Sequence, residues 1–155
     1  MMIREIDVGE VNKLIVCIME LSEHHNQISQ NFKGHYPSRP YEITLSVFEK
    51  CLLSGTSHIA VVENDSEIMG FCKVDITEKV GKLDYLIVLQ EYRNRGVGKQ
   101  LMSWAMRTFE TNHISDIEVK VVDGNDAAIH LYEKYGFRMN AHILKRCSDL
   151  KTEKI

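Results

Sequence analysis

The chain has 155 residues, of which 44% are hydrophobic and 26% charged, with a formal net charge of −3. That is the size and make-up of one globular domain with a real core, and the absence of any Lys/Arg block longer than two residues argues against a broad basic face for nucleic acid. No apolar run approaches the ~20 residues that span a membrane. The N-terminus lacks the apolar core of a signal peptide, so the expectation is a cytoplasmic protein without a membrane partner. Cys17, Cys51, Cys72 and Cys147 fit neither a zinc nor a disulfide spacing. They read as free thiols in a reducing compartment, and no metal is expected.

Residues 2–6 read as a short strand. Asp7 then offers an N-cap, with Glu10 three residues on as its capping-box partner. Val11, Leu14, Ile15, Ile18 and Leu21 recur at helical spacing and predict an amphipathic helix over 8–22. Residues 22–41 are polar and irregular and hold both prolines, Pro37 and Pro40; so long a connection in a small domain points to function. Leu45, Phe48, Leu52 and Leu53 predict a helix over 42–54. Strands over 59–63 and 68–76 are joined by the turn Asn64-Asp65-Ser66. After a turn at 78–81, the strand over 83–89 is apolar enough to be buried on both faces. Val97, Leu101, Met102, Ala105 and Phe109 predict a helix over 97–109, and Ile117, Val119 and Val121 alternate as a half-buried strand. A helix over 126–135 closes on Gly136 as a left-handed residue, with Phe137 as its apolar clasp. Residues 142–147 are expected to add a last strand. The whole is an α/β (α+β) domain over 1–147, with a charged tail over 148–155.

The informative stretch runs from Leu86 to Lys99. A buried strand enters a turn with Gly96 and Gly98, and the turn enters a helix. Glycines let backbone approach a ligand closely. Free N–H groups at a helix start make an anion nest, and Arg93, Arg95 and Lys99 add positive charge there. The local chemistry says phosphate without saying which. A Walker-type loop is excluded because Gly98-Lys99 is followed by Gln100, which offers no hydroxyl for Mg²⁺, and a dinucleotide fingerprint is excluded because position 101 is Leu, not Gly. A nucleotide-dependent phosphotransferase therefore lacks its motif.

Arg93-x-x-Gly96-x-Gly98 after an apolar strand resembles the [Q/R]-x-x-G-x-[G/A] turn of the GNAT superfamily of acetyl-CoA-dependent N-acetyltransferases. A second match follows at Asn125-x-x-Ala128-x-x-Leu131-Tyr132-x-x-x-Gly136-Phe137, in the right order, with a helix and a strand between. The resemblance covers residues 3–146. It implies a single domain with a central mixed, mostly antiparallel sheet of six to seven strands. That sheet is splayed between the fourth and fifth strands and flanked by four helices. Pantetheine would enter the splay and pair with the main chain of Ile87 and Val88. The turn Arg93, Asn94, Arg95, Gly96, Val97, Gly98 and Lys99 would hold the pyrophosphate, with Asn125 and Tyr132 flanking the thioester. Acetyl-CoA is then the co-substrate, and a homodimer is compatible with the family.

Direct transfer needs a deprotonated amine, and an alkylamine of pKa ~10.4 is mostly protonated at neutral pH. It also needs a donor to the oxyanion, for which the Val88 N–H would serve, and a proton for the leaving thiolate. The resemblance gives that last role to Tyr132. Asp84, four residues before Val88, is the candidate base on the expectation that it shares a strand face with Leu86 and Val88. Asp123 is expected to cap the following helix. His24, His25 and His35 fall in or beside the long connection that would wall the acceptor pocket. No cysteine adjoins either motif, which disfavours a covalent acetyl-cysteine route. The acceptor is expected to be a small-molecule amine (polyamine, aminoglycoside-like or amino-acid-like) before a protein amine. The alternative of another class is a non-catalytic acyl-CoA-binding module on the same fold.

Overall fold

The computed structural model describes residues 1–148. Five strands, β1 Met2–Glu5, β2 Ser57–Asn64, β3 Glu67–Thr77, β4 Val80–Val88 and β5 Asp116–Val119, form one sheet in the order β1-β2-β3-β4-β5. The first four are antiparallel neighbours and β5 joins β4 in parallel. The described residues also form four α-helices, α1 Ile15–Ile28, α2 Tyr41–Ser54, α3 Val97–Thr111 and α4 Asp126–Glu133, and two 3-10 helices, Val8–Leu14 and Gln90–Tyr92.

Alternation along the inner strands feeds two cores, one on each face of the sheet. Ile59, Val61, Phe71 and Ile87 meet Val11, Leu14 and Ile18 before and within α1, and Leu45 and Phe48 of α2. Val62, Cys72, Val74 and Leu83 meet Leu101, Met102, Ala105 and Phe109 of α3, and Tyr132 of α4. Burial on both faces is why these strands carry near-continuous apolar runs. The tight turn between β2 and β3 falls on Asp65 and Ser66, both at positive φ (51° and 68°), the geometry a two-residue hairpin demands.

Three expectations change. The segment Val8–Leu14 is a 3-10 helix leading into α1. Asp7 caps it by accepting from Gly9 N at 3.0 Å, and the Glu10 carboxylate reaches back to the Asp7 backbone N–H as a capping-box partner does; Arg4 takes the same carboxylate at 2.6 Å and holds it at a pKa of about 2. Second, α1 runs on to Ile28, so the irregular connection shrinks to residues 29–40. The polar Glu23-His24-His25-Asn26-Gln27 hides helical periodicity but contains no helix breaker. Third, the sheet has five strands, not six to seven. Residues 142–147 form no strand, and Ile143 and Leu144 there are exposed. Their adjacent apolar residues lack the alternation that seats a strand on one core. The tail beyond 148 lies outside the described residues. No helix among the described residues is long and apolar enough to cross a membrane.

Candidate active site

β4 and β5 register from Val80 opposite Asp116 to Leu83 opposite Val119. β5 ends there, whereas β4 runs on to Val88. From Asp84 onward the strands part and leave one edge of β4 without a strand partner among the described residues. Leu89 N–H donates to Met69 O of β3 at 2.9 Å, and Phe71 lies opposite Ile87. Because main-chain groups alternate sides along a strand, Ile87 is also turned to β3, while Leu86 and Val88 face the gap. Of the two residues expected to meet pantetheine through their main chain, only Val88 is so directed. Its carbonyl accepts Arg93 Nε at 3.2 Å.

The turn beyond β4 is anchored from α1, where Glu20 Oε2 accepts from Gln90 N at 3.0 Å. Asn94 and Gly96 are left-handed (φ 64° and 83°), and Gly96 caps α3. The helix ladder starts with Gln100 N donating to Gly96 O at 3.1 Å. The amides of Val97, Gly98 and Lys99 therefore precede the ladder, at the positive end of the helix dipole. A Cβ on Gly96 would meet nothing within 4 Å, and one on Gly98 only Val88 Cγ2 at 3.7 Å. The space before these amides is thus open to a ligand. Arg95 stands over the Tyr92 ring, 5.8 Å from its centroid, and Lys99 and Gly96 border a groove with Gln100, Ser103 and Arg107. Free amides, flanking cations and an unfilled approach are what a pyrophosphate requires.

Tyr132 is buried on the α3/α4 face, 5.8 Å from the Phe137 ring. Gly136, at φ 93°, and Phe137 N donating to Tyr132 O fix this end of α4. Burial, with the neighbouring Cys72, raises the phenol pKa above its ordinary ~10, so Tyr132 keeps its proton well beyond neutral pH. Cys72 is itself fully buried, and burial pushes its thiol up as well, so no ready thiolate lies beside the gap here. The helix cap falls to Asn125, whose Oδ1 accepts from Ala128 N at 3.3 Å, and not to Asp123.

Asp84 does not share a face with Leu86 and Val88. The register slips between Lys73 opposite Tyr85 and Val74 opposite Leu83, a bulge that sends Asp84 and Tyr85 to the same side. Leu83 and Leu86 pack toward α3, whereas Tyr85 stacks on Phe71 and meets Phe48 edge-on under α2. Asp84 Oδ2 accepts Lys73 Nζ at 2.8 Å, and the same ammonium reaches Asp75 at 2.6 Å and lies over Phe48. The Lys73 side chain is 2% exposed. Burial disfavours its charge, but attraction to Asp84 and the hydrogen bonds to Asp75 and Asp84 outweigh burial and leave its pKa raised. Sequence reasoning missed Lys73; a lysine inside the buried run Phe71-Cys72-Lys73-Val74 was the available signal.

The gap is walled on this side by the end of α1. Asn26 holds residues 34–36 in place, with Oδ1 accepting from Gly34 N and Tyr36 N at 2.9 Å each and Nδ2 donating to Tyr36 O. Gly124, at φ 101°, lies against the Ile28 carbonyl, where a Cβ would collide. Glu20 and Ile28 thus place α1 against both banks of the gap. His24 and His25 sit on α1 and not in the loop. Burial and His24 lower His25 to a pKa of about 4; burial and Arg93 lower His24. His25 folds neutral, so its contribution to stability is complete above its ordinary pKa of 6.5 and is lost as pH falls through about 4. Urea unfolding should show stability declining across that window, and His25→Phe should flatten the decline. Among the described residues no group of three or more His, Cys, Asp or Glu is placed to hold a metal ion.

Comparison with known proteins agrees with this geometry. The sequence matches the acetyltransferase (GNAT) family over residues 20–137, and the chain belongs to that family. A Bacillus subtilis (strain 168) protein, provisionally named a ribosomal protein bS18-alanine N-acetyltransferase, is 24% identical over 60% of this chain and 62% of its own. The mycothiol acetyltransferase of Streptomyces griseus is 33% identical over 50% of this chain and 26% of its own. Both matches span less than two thirds of the relative's length. Among solved structures, AAC(6′)-Iy in complex with a bisubstrate analogue, CoA-S-monomethyl-acetylneamine, superposes with a TM-score of 0.70 at 19% identity, covering 94% of this chain and 98% of that one. At that identity the likeness speaks for the fold.

Proposed function

We propose that this chain moves an acetyl group from acetyl-CoA to a primary amine, by direct attack within a ternary complex. The observation that carries the reading is the coincidence, on one strand, of a free edge beside a gap and a turn of unpaired amides at its end. A pantetheine arm fits the first and a pyrophosphate the second. The amides of Arg95 through Lys99, with Arg93 and Asn94 beside them, receive the phosphates. The Val88 N–H stabilises the oxyanion. Tyr132, protonated at neutral pH as a phenol of pKa ~10 or above is, supplies the proton to the leaving thiolate from the α3/α4 face. Asn125, anchored as the cap of α4, borders the thioester end.

Asp84 takes the amine proton from the opposite face, directly or through water; its side chain keeps 21% of its surface exposed despite Lys73. Asp84→Asn leaves Lys73 its Asp75 partner, so the fold should hold. Turnover should fall about 10²-fold at neutral pH, the low end for general base catalysis, and recover in part as pH rises toward the amine pKa of ~10.4, since more acceptor arrives deprotonated. A wild-type pH–rate curve from this variant would remove Asp84 from the chemistry.

Small-molecule amines rank ahead of protein amines. Two of the three relatives act on or are bound to small molecules, mycothiol and an aminoglycoside analogue, while the third is named for a ribosomal protein. The functional test is release of free thiol from acetyl-CoA across a panel of amines. Amine-dependent release supports the reading; binding of coenzyme A with no release for any amine would leave a non-catalytic acyl-CoA module.

A further inference from the structure

The bulge in β4 sets up a local charge balance that bears on the acceptor, taking the acetyltransferase reading as given. Asp84 and Asp75 both face α2, and both are paired. Lys73 reaches the two of them, and Lys82 Nζ lies 3.7 Å from Asp84 Oδ1. Lys73 serves both carboxylates and the longer contact from the half-exposed Lys82 adds to it, so little negative charge is spare there to hold a polycationic acceptor.

Arg39 stands differently. Its Nε donates to Thr44 Oγ1 at 2.9 Å, and Thr44 is the buried residue of the first turn of α2. Its guanidinium lies beside the Tyr85 hydroxyl, where its charge offsets part of the burial that raises that phenol's pKa. These partners are neutral, and among the described residues Arg39 makes no ion pair. It is exposed, so a ligand can reach it. An exposed arginine is ordinarily a solvated one, but here Nε is tethered to a buried threonine and the guanidinium also hydrogen-bonds the Tyr85 hydroxyl, so the fork is oriented and its remaining N–H groups face no charged partner among the described residues. The wall as a whole is biased the same way. Residues 22–41 carry Lys33 and Arg39 against Glu23 alone, a balance of +1, on a chain whose total is −3. His24 and His25 add nothing, being held neutral.

We propose that the acceptor is an amine that also carries a carboxylate, an amino-acid-like molecule, and that Arg39 receives this carboxylate beside the bulge at Asp84 and Tyr85. A guanidinium fork matches a carboxylate in two parallel hydrogen bonds, which would leave the amine of the same molecule to turn toward the gap.

The test uses acceptors that differ only in the carboxylate: L-lysine against L-lysinamide and pentanediamine, and glycine against glycinamide. Thiol release from acetyl-CoA is followed for the wild-type chain and for Arg39→Gln, with thermal melting to confirm the fold. The wild-type kcat/KM should favour the free acid over its amide by about 10- to 100-fold, the range of a hydrogen bond to a charged group. In Arg39→Gln that ratio should collapse toward one, mainly through KM. Turnover restricted to carboxylate-free amines, or a ratio that survives Arg39→Gln, overturns the proposal while leaving the acetyltransferase intact. If no amine is turned over, the acetyltransferase reading is what fails, and calorimetry with N-acetylglycine and N-acetyl-lysine on the coenzyme A-loaded protein decides the carboxylate site separately. Binding that weakens tenfold or more in Arg39→Gln supports it, and equal or absent binding overturns it.

Discussion

Gly98→Val should lower affinity for coenzyme A by more than about 100-fold while the protein remains folded. The valine Cβ would sit 3.7 Å from Val88 Cγ2, an ordinary contact, and Gly98 is not at a left-handed φ. A β-branched residue is no worse than glycine in a helix, so stability should hold. The methyl groups would instead occupy the open space in front of the Val97–Lys99 amides. Losing even two hydrogen bonds to charged phosphate oxygens, each of about 1.5–3 kcal/mol, accounts for the effect. Gly96→Val is the poorer variant, because at φ 83° the valine is strained whatever binds. Titration calorimetry with coenzyme A, paired with thermal melting, reads both quantities. Unchanged affinity in a folded Gly98→Val protein would remove the phosphate from this turn.

Tyr132→Phe should reduce turnover by about 10²-fold, the low end for general acid catalysis, with little change in acetyl-CoA affinity. The substitution deletes only the hydroxyl. The ring keeps its contact with Phe137 and its place in the core beside Cys72. A phenol of pKa ~10 is protonated at neutral pH and burial raises it further, so its proton-donating form is present throughout the neutral range and the loss should not vary with pH there. Steady-state kinetics at saturating acceptor separates kcat from KM. A fully active Phe variant would pass the acid role to water or to another group.

The two motifs were legible because each couples residue type to backbone geometry. Gly96 and Gly98 flag an amide-lined turn wherever a buried strand meets a helix, and Gly136-Phe137 flags the end of α4. The hairpin at Asp65-Ser66 was equally plain, since alternation stops on two residues that accept positive φ. Asp84 was misread for a definite reason. Counting faces by twos assumes an unbroken strand, and the slip between Lys73 and Val74 inverts every face on one side of it. The consequence is chemical. Asp84 lies across β4 from Tyr132, paired to a buried lysine, so acid and base candidates approach the gap from opposite faces of the sheet. The reach of α1 was hidden because its last turns are polar, and a helix kept by its hydrogen bonds and by contacts such as Glu20 with Gln90 leaves no apolar stripe to find. Asn125 was singled out as a neighbour of the thioester; that it also caps α4 follows from its position three residues before Ala128. Residues 142–147 were overcalled as a strand from composition alone, without the period of two that burial on one core imposes.

The central claim is acyl transfer to an amine by direct attack, and the most direct measurement is the product balance of one reaction. The protein is incubated with acetyl-CoA and the best amine of the panel, and free thiol, N-acetylated amine and intact protein mass are followed together. Direct transfer predicts equal amounts of thiol and acetylated amine, both absent when the amine is left out, with the protein at its unmodified mass throughout. Thiol release without acetylated amine, or a protein that gains an acetyl group before the amine is added, would contradict it.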